Sequence, residues 1–180
     1  MQKSRGIRAV LAVLAVALAI GFIGSCNLLG SLTSRMSIDG KEYSLSNMYV
    51  VAGESEVSDN HIFLVYFTSR GLEWDYGFEG AGDYLYLRFS SADPNLGAGT
   101  YPAIVGDWPH DEMVGEGAAR VGYDADDRTY DHHYTVTGGK VHVRPALRGY
   151  NIELELLAED GTTEVEITGS YRGTAWIDRL

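Results

Sequence analysis

Hydrophobic and polar positions alternate with period two along residues 138–177. Val141 and Val143 are interleaved with Lys140, His142 and Arg144; Tyr150, Ile152, Leu154 and Leu156 with Asn151, Glu153 and Glu155; Val165, Ile167 and Tyr171 with Glu164, Glu166, Thr168 and Ser170. Successive side chains of a strand project to opposite faces, so this stretch reads as an antiparallel β-meander with one dry face and one wet face. Glu159-Asp160-Gly161-Thr162 supplies the tight turn between its second and third strands, where Asp and Gly tolerate the backbone angles a hairpin demands. Upstream, strands are predicted over 42–51, 61–68, 83–90 and 100–105. Residues 61–68, HIFLVYFT, suit a strand dry on both faces: one packed on both sides, or one that turns one face to a partner. Residues 83–90 place Leu85, Leu87 and Phe89 on one face and Tyr84, Tyr86 and Arg88 on the other. The glycine-rich, aromatic residues 71–82 read as a loop. An acidic stretch, 106–131, holds a strand at 117–123, and 133–137 is the expected hairpin partner of 139–145 across Gly138-Gly139. No 3.6-residue period is sustained past residue 25. The expected fold is all-β, a single antiparallel β-sandwich or lipocalin-like barrel of about eight to ten strands.

The first 25 residues follow a different pattern. Lys3, Arg5 and Arg8 precede an uncharged apolar run of fourteen residues, 9–22, which is signal-peptide length and short of the roughly 20 residues a spanning helix needs. The run ends in Ile23-Gly24-Ser25-Cys26, which resembles the lipobox of bacterial lipoproteins. That resemblance implies cleavage before Cys26 and acylation of its thiol. The chain then divides into a signal peptide (1–25), a lipidated tether (26–37) and one β domain (38–180). The alternative is an uncleaved N-terminal anchor with an incidental buried thiol. Cys26 is the only cysteine, so the chain forms no intramolecular disulfide. In lipoproteins of double-membrane bacteria an aspartate after the cysteine marks inner-membrane retention. Here Asn27 stands there, so the resemblance points to the outer membrane, and the lack of an acidic run after the cysteine favours a periplasm-facing anchor over a surface one.

Charge removes whole classes of partner. The chain carries 25 acidic and 14 basic residues, a formal −11. Cleavage takes away three of the bases and no acid, leaving 11 against 25, a formal −14. Nucleic-acid binding needs clustered Lys and Arg on phosphates, and anionic lipid needs a polybasic patch. Neither is present, so the expected membrane contact is the acyl chains, each buried methylene contributing about 0.8 kcal/mol.

Few residues suggest chemistry. Asp124, Asp126, Asp127 and Asp131 put four carboxylates within eight residues, a donor type that suits Ca²⁺. Counting from Asp124, however, Arg128 and Thr129 occupy the fifth and sixth positions, where a calcium loop of the EF type wants an oxygen ligand and glycine, so a solvated acidic loop is the expectation. His132 and His133 face opposite ways in a strand; in a loop His110 and Asp111 would have to join them to hold zinc. No G-x-S-x-G elbow occurs, and the lipobox resemblance implies that the Cys26 thiol is taken up by lipidation. No catalytic residue and no cofactor is assigned. Trp74, Tyr76, Tyr84, Tyr86 and Trp108 are the candidate aromatic platform for a sugar ring or apolar ligand, against the plainer reading that tyrosines follow strand propensity.

The series Gly139, Val141, Val143, Tyr150, Ile152, Leu154, Leu156, Asp160, Gly161, Ile167, Gly169, Tyr171 and Gly173 resembles the C-terminal half of small envelope lipoproteins of uncharacterised activity with a β-sandwich or lipocalin-like domain. It implies no catalytic residues. The expected function is a non-catalytic, envelope-anchored ligand-binding module for a small ligand or glycan. The alternative is an assembly lipoprotein that meets an envelope protein through a sheet edge or apolar patch; a metal-dependent or glycoside-active enzyme ranks behind both. An open aromatic concavity marks the first reading, a flat patch or free edge the second.

Overall fold

The computed structural model describes residues 34–179 apart from 57, 76, 105, 107–111 and 148. Every helix or strand among them is a strand: β1 (Arg35–Ile38), β2 (Lys41–Ser44), β3 (Asn47–Glu54), β4 (His61–Thr68), β5 (Leu72–Trp74), β6 (Phe78–Ser91), β7 (Gly99–Pro102), β8 (Met113–Asp124), β9 (His132–Ala146), β10 (Gly149–Glu159), β11 (Glu164–Gly173) and β12 (Trp176–Arg179). The sheet runs β12-β3-β4-β6-β8-β9-β10-β11-β1-β2, with β5 paired to β6 and β7 to β9. It is strongly curled, a half-barrel, and its ladders are antiparallel except β12 on β3.

Two residues roll the sheet round. Leu45-Ser46 is all that separates β2, at one end of the strand order, from β3, next to the other end. The Leu45 N–H donates to the Ser34 carbonyl beside β1 (2.9 Å), and the Ser46 N–H donates to the Thr68 carbonyl at the end of β4 (2.7 Å). Neighbouring N–H groups on an extended chain point to opposite edges, so β1 and β4 flank this segment on its two sides. A second crossing lies at the same end, where Thr174-Ala175 carries the chain from β11 to β12. The Tyr171 hydroxyl fastens it by donating to the Thr174 carbonyl at 2.6 Å.

The inside of the curl is filled. Met36, Met48, Val65, Phe67, Leu85, Leu87, Phe89, Ile152, Leu154 and Ile167 are among the side chains of one buried cluster. Phe67 on β4 meets Tyr171 on β11 with ring centroids 5.5 Å apart, joining strands five places apart in the order. Each fully buried side chain of this kind contributes about 1.5–3 kcal/mol.

The meander of residues 138–177 is present as β9, β10 and β11, with Asp160 Oδ1 accepting from the N–H groups of Thr162 and Thr163 (both 3.0 Å) in the predicted turn. Several expectations are corrected. The described strands number twelve rather than about eight to ten, partly because short ones carry too few residues to show a period. Residues 35–37, expected in the tether, form β1 on β11. The single strand expected over 42–51 is split at Leu45-Ser46, where the ladder changes sides. Residues 71–82 hold β5 and the start of β6 rather than a loop. Gly138-Gly139 makes no hairpin: β9 passes straight through it for 15 residues, with a bulge opposite Leu157 and Ala158. Gly139 has φ of +102°, and a Cβ there would meet the Glu155 carbonyl oxygen at 2.2 Å. Turn and bulge ask the same of a glycine, so the sequence did not separate them.

Candidate functional site

Because Leu85, Leu87 and Phe89 of β6 enter the core, Tyr84, Tyr86 and Arg88 face outward, as the alternation requires. Register then carries the outer face across the sheet. Trp176 pairs with Tyr49, Tyr49 with Tyr66, and Tyr66 with Tyr86, on β12, β3, β4 and β6. Neighbouring strands lie about 4.8 Å apart, so these four residues form one aromatic row.

The β5–β6 hairpin folds over the row, with Trp74 opposite Phe78 and Glu73 opposite Glu79. Gly80 allows the fold-back: its φ is +84°, and a Cβ would meet the Gly71 carbonyl oxygen at 2.2 Å. Trp74 then stacks on Tyr66 (4.6 Å, 17°), and Tyr66 on Tyr86 (5.1 Å, 28°). Phe78 stands edge-on to Tyr66 and Trp74 and stacks on Tyr84 at 4.6 Å. Such pairs add about 0.5–1.5 kcal/mol each beyond their burial. This is the cover that the doubly apolar strand β4 called for.

Burial pushes the Tyr84 phenol up to about 12, against the opposing Arg120 charge. It raises Tyr66 and Tyr86 as well, with the Glu116 charge acting in the same direction, and all three stay neutral through physiological pH. Tyr49 is also raised, by burial and then the Glu73 charge, while a hydrogen bond to the Trp74 backbone opposes them.

Between the hairpin and β12 a groove of about 600 Å³ remains open. Tyr49 and Val51 of β3, Trp74 of β5, and Trp176 and Ile177 of β12 line it. Trp176 is 73% exposed and Ile177 56%. Glu73, Asp75, Glu79 and Asp178 add four carboxylates, and among the described residues none that lines it is basic. A polar hollow of about 550 Å³ at the crossing end shares Asn47 and Glu73 with it.

Of the predicted aromatic platform, Trp74 lies in the groove. Tyr86 is half-buried in the row, and Tyr84 is buried beneath Phe78 and Tyr123, so Tyr84 offers no platform to a ligand. Tyr76 and Trp108 lie outside the described residues, as do Cys26, His110 and Asp111. In the acidic loop the Asp124 carboxylate accepts from the N–H groups of Asp126 (3.0 Å) and Asp127 (3.3 Å). Among the described residues no three of His, Cys, Asp or Glu are grouped to hold a metal ion, Asp124, Asp126, Asp127 and Asp131 included. His132 and His133 both belong to β9. Burial, with the Arg120 charge adding, holds His133 below the ordinary imidazole range.

Sequence reasoning missed Tyr49, Trp176 and Ile177 as site residues. The one available signal was Trp176-Ile177 itself, two large apolar residues in a four-residue segment with no alternation to place them. No family model matches the chain, and neither does any curated protein or solved structure.

Proposed function

We propose that the protein is a non-catalytic binding module of the bacterial cell envelope, held at the outer membrane by acylated Cys26, with the groove beside β12 as its contact surface. The observation that carries the surface is Trp176: an indole 73% exposed, aligned with Tyr49 and facing the same groove as Trp74. Large apolar side chains gathered at one open concavity mark a place that another molecule covers, and Trp and Tyr dominate such contacts. The assembly reading draws on the same place, since β12 ends the strand order. The anchor rests on the leader and lipobox resemblance.

Both halves are tested in cells. Incorporation of radioactive palmitate into wild-type protein, abolished in Cys26→Ser, is expected; an unlabelled wild-type chain overturns the anchor. A photo-crosslinking amino acid at position 176 or 49 should give a discrete adduct that the same group at 153 or 168, on the ion-paired outer face, does not. Equal or absent adducts at 176 and 49 overturn the contact surface.

A further inference from the structure

The groove also indicates the kind of molecule that fills it. We propose that it takes an extended segment of a partner protein in which basic and apolar side chains alternate, laid along the free edge of β12; this rests on the contact surface proposed above. Three observations support the assignment.

The first is charge. Glu73, Asp75, Glu79 and Asp178 line the groove, and among the described residues none that lines it is basic. Trp74, Trp176 and Tyr49 line the same space, and a Lys or Arg head over an indole or phenol ring is attracted by the ring quadrupole. Carboxylates with aromatic rings therefore select a cation with an apolar stem, which is the Lys or Arg side chain.

The second is backbone. β12 is bonded to β3 on one side, and among the described residues no strand bonds the other. Protein sheets guard such edges with charge, and here the Asp178 carboxylate is turned onto the Arg179 N–H at 2.9 Å. Trp176 and Ile177, in contrast, expose apolar side chains on the same strand. A small organic cation or a sugar leaves the edge amides and carbonyls unanswered. An added strand pairs with them and places alternate side chains in the groove.

The third argues against two copies pairing groove to groove. Two such grooves brought together would oppose eight carboxylates in an already acidic chain.

The test uses the purified full-length protein in detergent and an octapeptide alternating Lys and Val, capped at both ends, with binding read from tryptophan emission. Binding is expected and should weaken at least fivefold between low and high salt. A Glu-Val octapeptide should bind at least tenfold more weakly. Alternate N-methylation blocks one edge of the peptide, and there are two such sets. One set should cost at least tenfold and the other little, because only one edge meets β12. Trp176→Ala, and Glu79→Gln with Asp178→Asn, should each weaken binding at least fivefold, whereas Glu153→Gln on the other outer face should not. Both N-methylated sets binding like the parent, equal affinity for the acidic peptide, or no binding at all overturns the proposal. A crosslink from position 176 to a glycan or to another copy of this chain overturns it while leaving the contact surface standing. Loss of that crosslink removes both.

Discussion

On the outer face of β9, β10, β1 and β2, charges answer one another: Lys140 reaches Glu155 at 3.0 Å, Arg144 reaches Glu153 at 3.6 Å and Arg35 reaches Glu42 at 3.0 Å. His142 Nε2 lies 3.9 Å from Glu155, and its Nδ1 meets the Thr100 hydroxyl at 2.8 Å. On the outer face of β12, β3, β4 and β6 the outward positions hold Trp176, Tyr49, Tyr66 and Tyr86 instead. Both walls share one filled interior and one alternation, so the difference lies wholly in what the outward residues need. Exposed ion pairs contribute about 0–1 kcal/mol and are content in water. Aromatic rings need cover, and the β5–β6 hairpin supplies it for Tyr66 and Tyr86 but stops short of Trp176. One wall is complete in itself, and the other is complete only up to its last strand.

The largest effect should come from removing what the two walls share. Phe67→Ala empties the ring contact between β4 and β11 and is expected to cost about 3–5 kcal/mol. At about 3 °C per kcal/mol for a domain of this size, that lowers Tm by roughly 10 °C or more. Thermal unfolding that moves by only a degree or two would mean the walls do not lean on a common core.

The walls themselves are compared next, by Tyr66→Ala on one and Glu155→Ala on the other. Tyr66 touches the rings of Trp74, Phe78 and Tyr86, and its loss should cost about 2–4 kcal/mol and shift Trp74 emission to the red. Glu155 faces solvent with Lys140, and its loss should stay within about 1 kcal/mol. Equal costs in a denaturant titration would erase the distinction between a packed and a solvated face.

The smallest effect is confined to alkaline pH. The Tyr84 phenol is raised to about 12 by burial, and an unfolded tyrosine titrates near 10. The folded state thus favours the neutral phenol. That stabilisation is complete below pH 10 and lost as pH climbs through 12. Tyr84→Phe should change stability by about 1 kcal/mol or less at pH 7 yet soften the decline between pH 10 and 12. Tyrosinate absorbance that completes by pH 11 while circular dichroism still reports β structure would contradict the burial of the aromatic wall.

Strand content was legible because half-buried strands announce themselves by alternation. β10, with burial switching at every residue from Tyr150 to Glu159, is the plainest case. The outward side of Tyr84 and Tyr86 was legible for the same reason. Where alternation fails, the reading failed with it. β5 and β12 are three and four residues long, too short to show a period, and Leu45-Ser46 changes ladders without any change in pattern.

By itself, then, the sequence determined the class of the fold, the dry and wet faces of its long strands, and the turn at Asp160-Gly161. These follow from local residue order, since a side chain's face depends only on whether its position is odd or even. Tertiary structure alone decided that the sheet curls until β1 and β4 flank one segment, that β9 runs on through Gly138-Gly139 with a bulge beside them, and that Tyr84 is buried while Trp176 is open. It also decided that Trp176, Tyr49 and Trp74, from three separate stretches of chain, line one groove with four carboxylates. Those outcomes depend on cross-strand register, which is settled by the joint packing of distant strands, and no local pattern records which residue comes to lie opposite which.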